Sequence, residues 1–369
     1  MTENTFFNDW TNRKIDFGRG PSSMWTLDRL YGEKNSQVDD ERYYEYQCIG
    51  SAYGTFLCQN VMDSTSRGVM KIFMQVPYDG SQRAPAEHRK SQAQSIPVDD
   101  FDIDSQLNVL SLNGDNRGYE GFRAQNFEKR GKGDLKEGFY LGKDLPLDDP
   151  QVVTRKFDKG PNKYPLEVSE PAKFRAVMDE YHEAMTSLAM GILRMLALTL
   201  ELEESAFDAF CEHPIAILRL LHYPPQDPDS SDIERGIGAH TDFGGITILL
   251  QDTTGGLQVW NNVSSEWVDV TPVPGAYVVN LGNMMMRWTN DRYLSNLHRV
   301  INKSGKERFS VPFFLSGNPD YIVECLPTCI GAGPKYPPIT VGQWMAGRYA
   351  DTYGTSNEEA ISDMREVPS

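Results

Sequence analysis

Cysteine is scarce in this sequence: five residues (Cys48, Cys58, Cys211, Cys325 and Cys329), an odd and scattered set among 369. That count and spacing exclude a disulfide framework, and the set reads as free thiols of a reducing compartment. Cys325 and Cys329 form a C-x3-C pair, but no second Cys/His pair of matching spacing completes a zinc site, so they read as buried or half-buried thiols. Long apolar runs are lacking too. The longest apolar-rich stretch, Leu188 to Leu200, is too short to span a bilayer and contains Gly191 and Arg194, which makes it a buried core helix. The opening MTENTFFNDWTNRK has no apolar segment of the kind a secretory signal needs, and a cytoplasmic protein is the expectation. Positive charge is in deficit: 36 Lys and Arg against 52 Asp and Glu give a net charge of −16. Nucleic-acid backbones and anionic membrane surfaces are repelled on average, so neither is an expected partner. A small anion is a different matter, because one buried arginine sets a local field that the mean charge does not decide.

What is present is the composition of a soluble globular chain, 39% hydrophobic and 24% charged. No internal repeat or long low-complexity tract appears. Residues 1–170 read as an irregular N-terminal region. Its polar, then acidic stretch from Gln82 to Asp104 reads as an exposed insertion or long loop, and a second loop runs from Asp158 to Ser169 through Gly160, Pro161 and Pro165. Residues 171–215 read as helical support. Phe174, Val177, Met178, Tyr181, Met185 and Leu188 recur at three- and four-residue steps, opposite Asp179, Glu180 and Glu183, and Pro171 suits a first helical turn. His182 in this helix reads as a surface or edge imidazole. From about residue 216 to 330 the period falls toward two. Strands are expected near Ile217–Tyr223, Ile246–Gln251, Leu257–Trp260, Trp267–Val270, Ala276–Leu281, Asn296–Ile301, Arg308–Leu315 and Ile322–Leu326, with Gly255-Gly256 as a tight hairpin between the second and third. Eight short strands close most naturally into a double-sheet jelly roll with few exposed edges. A helical tail over 331–369 completes one domain, 1–369, of the α+β class: a double-stranded β-helix (jelly-roll) core with flanking helices.

His240 and Asp242 stand two apart in GAHTDFGG, so on an extended backbone both side chains leave one face and converge on one ion. His298 in NLHRV, 56 residues after Asp242, is the candidate for a third ligand from another strand. Two imidazoles and a carboxylate on one face of an octahedron leave three adjacent positions open, the arrangement that suits iron(II) oxygenases. H-x-D alone is a weak signal. Arg308 and Ser310, ten and twelve residues beyond His298, strengthen it because they again share one strand face. A guanidinium beside a hydroxyl in an apolar pocket suits the remote carboxylate of a dicarboxylic acid. A surface cation paired with Glu307 is the bland reading of Arg308, but the apolar SVPFFLS that follows argues for a buried anion as its partner.

The strings GAHTDFGGITILLQD, GGLQVW, VVNLGNMMMRWTND, LHRV and RFSVPFF follow one another in the order and at the spacings of a known family. The chain resembles the isopenicillin-N-synthase-like iron(II)/2-oxoglutarate oxygenases, in particular fungal-type members. LRLLHYPP also matches, and the resemblance implies that Tyr223 helps bind the co-substrate carboxylate. DLKEGFYLG (134–142) and NRGYEG (116–121) extend the agreement upstream, to roughly 250 residues in all. Two departures stand out. Gly282-Asn283 replaces the Gly-Asp of many relatives, with an effect expected on a turn and not on the metal. In the N-terminal part GTFLCQNV (54–61) resembles the family's early strand, yet IPVDDFD (96–102), which resembles its opening strand, lies after it.

The resemblance implies iron(II), O2 and 2-oxoglutarate as co-substrate, supported by ascorbate. It implies oxidation of a C–H bond of a small organic molecule by hydroxylation, desaturation or ring rearrangement, with secondary metabolism as the setting. Asn116, Arg117, Tyr119 and Phe243 are candidates to line the substrate pocket, against packing or loop hydrogen bonding as the plainer role for each. Other readings are a nucleobase hydroxylase of the thymine type, an oxidase that needs no 2-oxoglutarate, and a catalytically silent small-molecule binding protein. All three ligands and the anion-binding pair are present, which speaks against the silent form.

Overall fold

The computed structural model describes three strands within residues 44–74, then residues 116–128 and 133–352 apart from 167, 169, 227–234, 263 and 274–275. The insertion from Gln82 to Asp104 and the segment IPVDDFD lie outside the described residues. Strands β1 (Tyr44–Ser51), β2 (Gly54–Asn60) and β3 (Val69–Met74) form an antiparallel meander. β4 (Gly118–Glu120) and β5 (Glu137–Leu141) follow, then helices α1 (Pro150–Val153) and α2 (Pro171–Thr199). The remainder runs β6 (Ile215–Tyr223), β7 (Ile237–His240), β8 (Ile246–Gln251), β9 (Leu257–Asn261), β10 (Glu266–Asp269) and β11 (Ala276–Leu281). After these come α3 (Asn283–Trp288), β12 (His298–Val300), β13 (Arg308–Gly317), the short pair β14 (Ile322–Val323) and β15 (Ile339–Thr340), and α4 (Val341–Thr352).

The large sheet has the order β1-β2-β3-β11-β8-β13-β6-β5-β4, and the small one β10-β9-β12-β7. Every pairing is antiparallel, as a jelly roll requires. One face of the large sheet rests on α2. That helix starts with Pro171 at its first turn and buries Phe174, Met185, Leu188, Ala189, Ile192, Leu193, Leu196 and Ala197 on one stripe. Leu188, Ile192, Leu193 and Leu196 each gain roughly 1.5–3 kcal/mol from this burial. The other face of the large sheet looks across a cavity at the small sheet, and strand alternation sends every second side chain into it: Leu221 and Tyr223 from β6, Ser310 and Pro312 from β13, Val259 and Val300 from the small sheet.

Several expectations shift. Val177 is exposed, and His182 turns inward instead: its Nε2 lies 2.9 Å from the Ala216 carbonyl and its ring meets Phe313 edge-on. Gly255 and Gly256 do adopt positive φ, 83° and 89°, but they do not make a hairpin within one sheet. They carry the chain from β8 in the large sheet to β9 in the small one. The expected strands at 296–301 and 322–326 shrink to β12 and β14, while β7, which carries a site residue, is an addition.

Candidate active site

His240 closes β7 and His298 opens β12, and the two are direct cross-strand partners. Their ring centroids lie 4.3 Å apart. Asp242, two residues beyond His240, brings Oδ1 to 3.9 Å from His240 Nε2 and 3.6 Å from His298 Nε2. One donor atom from each residue thus falls within 4.8 Å of the others. The far side of each imidazole is already engaged. His240 Nδ1 lies 2.8 Å from Gly238 O and His298 Nδ1 lies 3.0 Å from Asn296 O. A carbonyl only accepts, so each Nδ1 carries the proton and each Nε2 keeps its lone pair for the cluster. Asn280 Nδ2 donates to Asp242 Oδ2 at 2.7 Å, leaving Oδ1 as the inward oxygen. Burial, then the neighbouring His298, drive the His240 imidazolium down to about 3, so this ring is neutral at physiological pH. Burial opposes the charge on Asp242, but the two imidazoles and hydrogen bonds from Asn280 and Thr247 outweigh it and hold the carboxyl below its usual value. Three oriented donors, two nitrogen and one carboxylate oxygen, fit a divalent first-row metal with open positions.

The backbone around the cluster is tied down. β7 is an edge strand, and its Gly238 and Ala239 amides donate to Asp134 Oδ1 and Glu128 Oε1, both at 2.9 Å. Phe127 stacks on the His240 ring at 4.3 Å. The loop after Asp242 is clamped by α3: Asn283 N donates to Asp242 O at 2.8 Å, and Met284 N to Gly244 O at 3.2 Å. Asn283 therefore does more than shape a turn. Its Oδ1 also accepts from Thr241 Oγ1 at 3.0 Å, bracing the residue between two of the clustered side chains.

Arg308 opens β13 opposite Tyr223, with 0% of its surface exposed. Nε donates to Gly255 O at 2.7 Å, Nη1 to Ser310 Oγ and Nη2 to Gln251 Oε1 at 3.3 Å each, and the guanidinium carbon sits 4.7 Å from the Tyr223 ring centroid. Among the described residues no carboxylate lies within ion-pair distance. A fully buried guanidinium held only by neutral groups is costly unless an anion joins it. Arg308, Ser310 and Tyr223 line the same cavity as the His-Asp-His cluster.

Of the four residues considered for the substrate, only Phe243 lines this cavity. Asn116, Arg117 and Tyr119 are drawn elsewhere by buried carboxylates. Asn116 Nδ2 and Arg117 Nη1 donate to Asp158 Oδ1 at 3.1 and 3.2 Å, and the Tyr119 hydroxyl donates to Glu137 Oε2 at 2.6 Å. Burial pushes the Asp158 carboxyl up, and the Arg117 charge counters it. The cavity wall also contains Gln125, Arg219, Met345 and Tyr349, none singled out from sequence. Arg219 carried a signal, since it continues the inward alternation of Leu221 and Tyr223. Tyr349 and Met345 arrive from α4, and nothing local marks them.

Two sheets closed on a His-Asp-His cluster, with a buried arginine in the same cavity, define a jelly-roll oxygenase. Residues 214–317 match the 2OG-Fe(II) oxygenase superfamily. The chain is 53% identical over 247 residues to the 2-oxoglutarate-Fe(II) type oxidoreductase hxnY of Emericella nidulans, covering 66% of this chain and 71% of that one. It is 42% identical over 257 residues to the 2-oxoglutarate-dependent dioxygenase citB of Monascus ruber, covering 69% and 78%. A full-length Neurospora crassa protein, solved in complex with alpha-KG and thymine, is similar with a TM-score of 0.58 at 27% identity, covering 67% and 78%. The chain belongs to the 2OG-Fe(II) oxygenase superfamily. It is an iron(II)- and 2-oxoglutarate-dependent dioxygenase that oxidises a C–H bond of a small organic molecule with O2. Among the described residues no helix is long and apolar enough to cross a membrane.

Proposed function

We propose that His240, Asp242 and His298 hold the iron, that Arg308, Ser310 and Tyr223 hold the distal carboxylate of 2-oxoglutarate, and that Phe243 forms part of the substrate wall. The whole chain, 1–369, then acts as one oxygenase domain, tailoring a small molecule of fungal secondary metabolism. The single observation that carries the assignment is Arg308, entirely buried, without a carboxylate partner among the described residues, in the cavity of the triad. At such a site iron(II), 2-oxoglutarate and O2 together supply oxidation of a substrate C–H bond, coupled to decarboxylation of the 2-oxo acid to succinate. The protein's own part is binding and orientation. Gly238 and Asn296 carbonyls fix the two imidazoles, Asn280 leaves one Asp242 oxygen for the metal, and Arg308 with Ser310 takes the remote carboxylate in charge-assisted hydrogen bonds. The apolar side chains of Leu221, Leu249, Val259 and Val300 keep water from the bound acid.

Anaerobic addition of 2-oxoglutarate to the iron(II)-loaded protein is expected to produce the visible charge-transfer absorption of the chelate. Arg308→Gln is expected to raise the concentration required by roughly tenfold or more. His240→Ala is expected to lose both iron and the absorption. Unchanged 2-oxoglutarate affinity in Arg308→Gln would remove Arg308 from the site, and full iron content in both His240→Ala and His298→Ala would remove the triad. The likeness to the Neurospora crassa protein bound to thymine favours a second reading, a nucleobase hydroxylase, and thymine-dependent succinate release is its test.

A further inference from the structure

The cavity has a second cationic pole that neither iron nor 2-oxoglutarate uses. Arg219 lies on β6 with its side chain on the cavity wall, 8% exposed. It projects from the same strand face as Tyr223, four residues away, which separates the two by about 13 Å along the strand. That is too far for one small carboxylate to be shared between Arg219 and Arg308. Arg219 is also held in place. Its guanidinium carbon lies 4.3 Å from the Tyr140 ring centroid and 4.9 Å from that of Phe314, and Nη2 donates to the Tyr349 hydroxyl at 3.3 Å. Glu120 lies in the field of Arg219 and is bonded to Lys136 at 2.6 Å. The polar end formed by Arg219 and Tyr349 sits among ring faces. Phe314 and Tyr349 line the cavity with Phe243 and Phe127, whose centroids are 6.2 Å apart, and the Arg348 guanidinium carbon lies 4.9 Å from the Phe243 centroid.

We infer that Arg219 and Tyr349 form a substrate-anchoring subsite for an anionic oxygen on a flat conjugated ring, with Phe127, Phe243 and Phe314 as the walls for that ring. This inference rests on the proposed function, because it needs Arg308 to be committed to the co-substrate. A guanidinium on the cavity wall stays charged and forms charge-assisted hydrogen bonds with an oxyanion that reaches it, while Tyr349 adds a neutral hydroxyl group. Ring faces favour planar ligands by stacking. The anchor is a specificity determinant for the reaction: with the charged end fixed at Arg219, the distance from anion to oxidised carbon is set by the molecule bound.

The test uses the full chain loaded with iron(II) and 2-oxoglutarate under anaerobic conditions. Matched pairs of probes are titrated by tryptophan fluorescence: small aromatic and heteroaromatic carboxylates against their primary amides, and phenols against their methyl ethers. The acid or phenol of at least one pair is expected to bind more tightly than its neutral partner by roughly tenfold to a hundredfold. Arg219→Gln is expected to abolish that preference and Arg219→Lys to restore part of it. In both variants the 2-oxoglutarate charge-transfer absorption should keep its strength and midpoint, which also reports that they fold. The carboxylate and phenol arms identify the oxygen that binds. Equal affinity for every charged and neutral partner in the unaltered protein overturns the inference, as does an undiminished acid preference in Arg219→Gln. Loss of the 2-oxoglutarate absorption in the unaltered protein, or its indifference to Arg308→Gln, instead defeats the underlying site assignment.

Discussion

Single side chains set the ligand geometry, and the hydrogen bond from Asn280 to Asp242 shows how. Without it only Thr247 still donates to the carboxylate, whose orientation is then less fixed, so Asn280→Ala is expected to lower iron affinity about 10- to 100-fold with little change in melting temperature, read as iron content after equilibrium dialysis. A second residue gives a pH-dependent expectation. Burial pushes Asp134 up from 3.8 to about 6, and its Oδ2 has no hydrogen-bond partner among the described residues. A carboxyl raised in the folded state contributes stability below about 3.8 and loses it as pH rises through about 6. Asp134→Asn keeps an acceptor for the Gly238 amide and removes the buried charge. It should therefore be more stable than the parent above pH 6 by on the order of 2 kcal/mol, with the gap closing toward pH 4, as thermal melts across that range will report. At this scale the sequence was most legible where period and chemistry coincide. His240, Asp242, His298, Arg308, Ser310 and Tyr223 all reach one cavity because two-residue alternation fixes their side. Asn116, Arg117 and Tyr119 were harder to read, since what claims Asn116 and Arg117 is Asp158, some forty residues away in a loop.

Among the elements, α3 matters more than its six residues imply, because its first turn clamps the loop that carries Asp242. Gly282 permits the contact. A Cβ there would stand 2.1 Å from Gly244 O, a backbone atom that cannot yield without moving the loop. Gly282→Ala is expected to cost about 1–3 kcal/mol in urea unfolding and to reduce iron retention more than an unrelated destabilising change of the same size. The strands β8 and β11 have the bounds expected from their apolar runs, since turn residues stop them on both sides. β7 escaped notice because its four residues, IGAH, contain no long apolar alternation and are held at their edge by Asp134 and Glu128 from a distant segment. The reach of Gly255-Gly256 was also invisible locally: two left-handed glycines serve a hairpin and a crossing between sheets equally well, and only the pairing of β9 with β12 decides.

For the whole molecule, the proposed single domain predicts a single cooperative unfolding transition that ligands shift together. Iron(II) with 2-oxoglutarate at about a hundredfold excess over its dissociation constant should add roughly 2.7 kcal/mol, visible as a rise in melting temperature that a chelator reverses. Two separate transitions, with only one responding to ligand, would divide the chain. The pairing of His240 with His298 across β7 and β12 has one more consequence. Their spacing is a property of a ladder rung, and β9, which pairs with β12 at His298, supports that rung from within the stretch between Asp242 and His298. The turns that join the strands of that interval, such as the one from β9 to β10, can change length without moving the rung, so surface loops are adjustable while the proposed grip on the metal is kept.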